Sequence, residues 1–592
     1  MPKRLLPLLS ALFTLMIGQL VAQPQNAPLI SIDELQSGMK GEVWTVFRGH
    51  NPEPFGVQVT GILRNALGPG KSMILCELTD PRVQSMGAVA GMSGSPLYID
   101  GKLAGVLSYQ IQRFETVRYA GFTPISDMLE ISALPAGRDS FSPTPIPIKS
   151  NSSARSSGLT GDLVPLSPAF TAGGLSPEVS ALLGNQFQSL GISFNALGGS
   201  DNSGDLKSET SAPQSPPSLH PGGVVAVALA VGDITIAGTG TVSHVDGNRV
   251  LAFGHPMMSL GATELPMASA EVVTILPSQL NSIKVSNTGK IIGAFSQDRL
   301  SGIYGEIGRQ PTMVPVEIDF PARLNRKSLH FSVVRHEQVL PVIAATGLAQ
   351  AVSGSNESGF SRGFRVTTTV DFPGSAPVEL SQIYPGPQGF NQGLSDFVGN
   401  LSLWLFNPYE RIFPDRIRFT VEDTPDTPQG IVEQFQVSRA SAAPGERVDL
   451  GLGWRGYQRA AASEDLSLDI PRDWAGKDLE IIVTTGPALD ELTGHSRMIS
   501  VAQLRSFEEY IAALREFRES DGLYVTVVEK TRLLTDQRAT TADMPGSLER
   551  IARGADEARF QRRDVLAPLW EKHILPGMLF NVMVRKPLAI TD

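Results

Sequence analysis

One cysteine, Cys76, is all that 592 residues contain, so no disulfide within the chain can staple the fold. Cys76 sits in the apolar run "SMILCELT", which reads as a buried core thiol and not as a nucleophile. Past the N-terminus no stretch reaches the roughly 20 consecutive apolar residues of a spanning helix. Charge is sparse, 18% of residues, and the net charge of −10 is spread without long runs of one sign. A basic stripe with interleaved aromatics is missing, which argues against a nucleic-acid surface. No His/Cys cluster has the spacing of a metal site, so neither a metal nor a cofactor is expected. With 41% hydrophobic residues the chain still has ample core for folded domains, and its length suggests about three.

What the chain does have is turn formers, 58 Gly and 43 Pro, set between short strand-like segments. Lys3 and Arg4 precede an apolar run from Leu5 to Val21 and small residues near Ala22, the pattern of an export signal over 1–23. This places the protein outside the cytoplasm, secreted or in the periplasm or cell envelope, with membrane association only through an uncleaved signal. Residues 28–135 hold the segments "EVWTVFRG", "PFGVQVTGIL", "KSMILCEL" and "PLYIDGKLAGVLSY", the last with an Asp100-Gly101 hairpin signal. Residues 136–222 are rich in Ser, Gly and Pro and read as a linker with a short helical piece around Pro177 to Phe187. Strand patterning returns over 223–345, with a second turn signal at Asp246-Gly247-Asn248. Residues 346–430 are β-rich but unassigned, 431–490 suggest a β-sandwich, and 491–592 a small α+β region. There Leu504, Phe507, Ile511 and Leu514 mark one face of a helix.

The chemistry centres on "GAVAGMSGSPLYIDGKLAGVLSY", residues 87–109. Glycines around Ser93 allow a tight turn that exposes amide groups, and a serine there is either a nucleophile beside an oxyanion hole or a plain turn residue. Gly91, Met92 and Gly94 are the turn positions that would serve the oxyanion. A nucleophilic Ser93 needs a base. Among eight histidines, His255 stands apart, following the apolar strand "RVLAF" between Gly254 and Pro256; a structural histidine is the other reading. Asp80, in "CELTDPRV", is the candidate acid, or simply the start of an Asp-Pro turn.

The segment "LTDPRV…GAVAGMSGSPLYIDGKLAGVLSY" resembles the serine core of the SpoIVB peptidase family. The resemblance implies Ser93 as nucleophile and Asp80 as acid. "GTGTVSHVDGNRVLAFGHPM" resembles the family's histidine segment and implies His255 as base, and "GAFSQDRLSGIYGEIG" resembles a segment downstream of it. The implied fold is mainly β: a trypsin-like, two-halved β-barrel peptidase core, with the serine half at 28–135 and the histidine half at 223–345, then the sandwich and the α+β tail. The implied activity is an exported serine endopeptidase that cleaves itself or a specific protein or peptide substrate through a Ser-His-Asp triad. The halves stand in permuted order, since here Ser93 precedes His255, and triads are defined by geometry whatever the chain order. The alternative is a non-catalytic envelope scaffold or binding protein that keeps the barrel for its shape. The catalytic reading expects the His255 ring to contact both Ser93 and Asp80, with His244 exposed and uninvolved. It also expects Asp298 to pair with Arg299 or cap a turn, and Ser95 to shape the turn.

Overall fold

The computed structural model describes residues 23–591 apart from 25, 112–116, 135–162, 167, 183, 193, 198, 201–218, 279–281, 322–327, 354–362, 406–409, 411, 425–426, 494–505, 536–539 and 543–560. The expected export signal therefore lies outside the described residues but for Gln23. The chain is mainly β.

Six strands form the N-terminal part: β1 (Lys40–Val46), β2 (Pro52–Gly68), β3 (Lys71–Leu78), β4 (Pro96–Ile99), β5 (Lys102–Ile111) and β6 (Tyr119–Pro124). Their antiparallel pairings run β4-β1-β2-β3-β6-β5 and return to β4, so the hydrogen-bonded ladder is a ring. Closure of this kind leaves no free edge. The Asp100-Gly101 turn joins β4 to β5 with both φ angles positive, 48° and 74°, as a two-residue primed hairpin requires. Helix α1 (Pro81–Met86) lies between β3 and the Ser93 turn, and α2 (Ile125–Ser132) follows β6. Cys76 is buried in this ring's core.

Residues 163–200, expected as part of a linker, instead supply Leu163–Pro165 (β7), Ala169–Gly173 (β8), α3 (Pro177–Leu182), α4 (Gly184–Ser189), Phe194–Leu197 (β9) and Gly199–Ser200 (β10). Strand β7 pairs with β5 of the first ring, and β8 pairs with β12 of a second. The second ring comprises β11 (Val224–Gly232), β12 (Thr235–Asp246), β13 (Arg249–Ala252), β14 (Gly261–Leu276), β15 (Ile283–Arg299) and β16 (Gly302–Ile307). It runs β11-β14-β15-β16-β13-β12 and back to β11, again antiparallel throughout.

Strand β11, "VVAVALAVG", is buried on both faces and shows how the rings meet. Val225, Val227 and Leu229 point into the large core of the second ring. Val224, Ala226 and Ala228 alternate with them and pack with Val46 of β1. Small side chains on that face let the two rings approach. A further shared cluster joins Trp44, Tyr98 and Val106 to Leu251 and Tyr304.

Residues 346–430 extend the second sheet and form no separate unit. Strands β17 (Met313–Asp319), β18 (Leu329–Val334), β19 (Phe364–Asp371), β20 (Val378–Tyr384) and β21 (Arg416–Asp423) continue outward from β11, covered by α5 (Val339–Ser353) and α6 (Pro387–Leu405). The sandwich is larger than the expected 431–490. The strands Gly430–Val437, Arg447–Gly456 and Ala461–Asp469 share one core with a second sheet that includes Asp478–Thr484, Leu523–Thr535 and Met583–Ile590. The expected helical face forms as Phe507–Arg515, packing Phe507, Tyr510, Ile511 and Leu514 onto the core of the second ring. Leu504 lies outside the described residues. Among the described residues no helix is long and apolar enough to cross a membrane.

Candidate active site at the seam between two rings

Ser93 occupies the turn between α1 and β4 and is fully buried. Three bonds set this turn from within: Met92 N–H donates to Val89 O at 2.9 Å, Ser95 N–H to Met92 O at 3.0 Å and Ser95 Oγ to the same carbonyl at 2.6 Å. Ser95 thus shapes the turn. Two more tie it outward, with Gly94 N–H donating to Leu107 O at 2.7 Å and Thr241 N–H to Ser93 O at 2.8 Å. The last of these crosses from the second ring. Gly94 is obligatory here, because a Cβ at its φ of 94° would lie 2.2 Å from Thr241 O and 2.5 Å from Phe253 N.

Of the amides expected to receive an oxyanion, those of Met92 and Gly94 are already spent on Val89 O and Leu107 O. The N–H groups of Gly91 and Ser93 donate to no acceptor among the described residues. These two are the amide donors that the turn leaves unspent.

His255 enters the same seam from β13. Phe253 and Gly254 both have positive φ, 70° and 68°, and the first is an uncommon conformation for an aromatic residue. Phe253 N–H donates to Thr241 O at 3.2 Å, and Thr123 Oγ1 of the first ring donates to Gly254 O at 2.7 Å. Both rings therefore hold the backbone that leads into His255. Asp298, buried on β15, accepts from Met257 N at 2.7 Å, Met258 N at 2.8 Å and Leu260 N at 3.1 Å, which fixes the loop that follows. It caps this turn, while Arg299 bonds Gln297 Oε1 at 2.8 Å.

The ring of His255 is buried, and its Nδ1 lies 2.7 Å from Pro256 O. A carbonyl oxygen only accepts, so Nδ1 carries the hydrogen and Nε2 keeps its lone pair. Among the described residues Nε2 has no hydrogen-bond partner, and neither has Ser93 Oγ. Burial pushes the imidazole pKa down to about 4, so the ring is neutral at physiological pH.

Two expected contacts are not made. Ser93 Oγ and His255 Nε2 lie on adjoining segments but do not hydrogen-bond. Asp80 does not touch the histidine. It is the N-cap of α1, accepting from Arg82 N at 2.8 Å and pairing with the Arg82 guanidinium at 3.0 Å, which holds its carboxyl below the ordinary range. The Asp-Pro sequence wins locally, because proline opens a helix and aspartate caps it. Pro256 O takes the orienting place that an acid was expected to fill. His244 is half-buried on β12, with burial lowering its pKa.

One residue at the seam went unread in the sequence. Lys284 of β15 is fully buried, and its Nζ donates to Thr45 Oγ1 of β1 at 2.9 Å. Glu519, Asp521 and His573 form a group of metal-ligand type among the described residues, far along the chain from the seam, and Arg365 answers the Asp521 charge at 3.1 Å.

No curated protein and no solved structure matches this chain. Residues 18–128, which carry Asp80, Ser93 and the whole first ring but not His255, match the SpoIVB peptidase S55 family.

Proposed function

We propose that the protein is an exported serine endopeptidase of SpoIVB type, with Ser93 as nucleophile and His255 as its base. One observation carries the reading: Ser93 Oγ and the lone-pair nitrogen of His255 are both buried at one seam without partners among the described residues, with the tautomer set by Pro256 O. Other described atoms are orphaned too, such as Trp44 Nε1 and Thr526 Oγ1; what sets this pair apart is that a hydroxyl and a basic nitrogen are orphaned on adjoining segments. In the reaction Ser93 Oγ attacks a peptide carbonyl as Nε2 takes its proton. The N–H groups of Ser93 and Gly91 receive the oxyanion, and Nε2–H then protonates the leaving amine. Asp80 has no part in this scheme.

Ser93 has no solvent exposure and His255 only 1%, so substrate entry requires the seam to open. A shut site suits a peptidase that acts on itself or on one specific protein better than one that digests peptides in bulk. The test is to express the full chain and follow its processing by mass spectrometry. Ser93→Ala abolishes cleavage, and Ser95→Ala leaves it largely intact. Equal loss from both variants would assign the motif to folding. A mature N-terminus near residue 23 or 24 in an extracytoplasmic fraction checks export.

The rival reading is a non-catalytic envelope scaffold. The missing Ser93–His255 hydrogen bond and the closed seam favour it, and an unprocessed chain with no hydrolase reactivity would establish it.

A further inference from the structure

We propose that Lys284 is a second proton acceptor for Ser93, built into the same seam as His255. The inference rests on the serine-peptidase reading and adds a residue to it. Lys284 is held against the nucleophile turn by its backbone, with Lys284 N–H donating to Ala90 O at 3.0 Å and Ala90 N–H to Ser282 O at 2.9 Å. Its side chain runs along Gly91, where a Cβ would come within 3.2 Å of Lys284 Cβ and 3.3 Å of its Cδ. Two residues further on is Ser93.

The amine ends on Thr45 Oγ1, a neutral partner. No carboxylate, histidine or arginine of β1, the 87–96 turn, β12 or β14 pairs with it among the described residues. The partners that the structure gives it are neutral: Thr45 of β1, Gly91 of the turn and Ile275 opposite it on β14. A lysine that is only structural would keep a counter-charge or reach water, since a buried ammonium alone is costly. Desolvation, with no opposing charge, brings its pKa down to about 7. That is the range in which an amine serves as a base at neutral pH, whereas the His255 imidazole, at about 4, is a weaker acceptor there.

Acylation balances without a further reactant. Turning from Thr45, the neutral amine accepts the Ser93 hydroxyl proton as the Oγ–C bond forms. The resulting ammonium returns that proton to the leaving nitrogen as the C–N bond breaks. A water molecule then releases the acyl group by the reverse sequence.

The experiment measures the rate of fluorophosphonate labelling of the full chain against pH, for wild type, Ser93→Ala, His255→Ala and Lys284→Met, with folding checked by circular dichroism. Wild-type labelling should rise with a midpoint near the Lys284 pKa of about 7. Lys284→Met should label about 100-fold more slowly and lose that limb, and His255→Ala should keep the limb. Lys284→Met labelling at the wild-type rate, or a wild-type midpoint near 4, overturns the proposal. If Lys284→Met does not fold, the wild-type profile with His255→Ala decides alone. A wild type that Ser93→Ala equals in labelling refutes the peptidase reading itself, and Lys284 with it.

Discussion

Replacing Gly94 with alanine tests whether the nucleophile turn is built by the second ring. The added Cβ meets Thr241 O at 2.2 Å and Phe253 N at 2.5 Å, both backbone atoms that cannot step aside singly. The backbone must also hold a φ of 94° that a Cβ disfavours. Strain at such a position costs about 1–3 kcal/mol, and overpacking a rigid seam costs another 1–3 kcal/mol or so. The expected loss is therefore about 2–6 kcal/mol. Gly101→Ala is the control: its φ is 74°, yet nothing lies within 4 Å of its Cβ position, so only the strain remains. That variant should lose about 1–2 kcal/mol. Hydrogen exchange at the Thr241 and Gly94 amides reads the local effect, and a thermal melt the global one. Equal destabilisation by the two variants would refute the reasoning, because the close approach of Thr241 would then contribute nothing.

Asp80→Ala should lower peptidase activity less than about tenfold, at a stability cost of about 1 kcal/mol for the lost helix cap; a fall of about 10⁴-fold, as for a lost triad acid, would restore Asp80 to the site. Asp298→Asn sets an amide against the three N–H donors of the 257–260 loop and should destabilise that loop by about 1–3 kcal/mol, seen as faster exchange at Met257 and Met258. Stability should also fall with acid. The unfolded His255 binds a proton below its ordinary 6.5 and the folded ring only near 4, so its contribution is present above 6.5 and lost as pH falls from there toward 4. For Lys284, lowered from 10.5 to about 7, the corresponding loss runs from pH 10.5 down to 7; in Lys284→Met a denaturation series should be flatter over that upper window.

Local features of the fold were legible. Asp100-Gly101 announced the β4–β5 hairpin, and Gly247, at φ 61°, turns β12 into β13 as its sequence suggests. Motif and local pattern singled out Ser93 and His255. What could not be read is what depends on distant partners. The small residues of 169–173 look like linker, and become strand only because Thr235–Thr239 offers an edge to pair with. Lys284 stands among polar neighbours in "LNSIKVSN", which locally suggests a solvated strand. Its burial comes from Thr45 and Gly91, more than 190 positions away in sequence. Asp80 failed in the opposite way, since its nearest neighbours in sequence already satisfy it.

Chain order ceases to matter once the site is seen as a property of the seam. The first ring supplies Ser93 and the Thr123 hydroxyl that holds Gly254; the second supplies Thr241, His255, Asp298 and Lys284. Every long-range contact that defines the nucleophile turn or the histidine loop either crosses this seam or braces a segment that does. Each ring closes its own ladder. Neither ladder borrows a strand from the other, and small residues such as Ala226 and Ala228 pack where the rings meet. The same construction explains why the site is shut. Atoms held by two packed bodies become accessible when the bodies part, and a parting that breaks the Thr241–Ser93 and Thr123–Gly254 bonds also releases the geometry they impose. On the peptidase reading proposed above, substrate binding would have to rebuild the seam around the scissile bond, which would link entry to recognition.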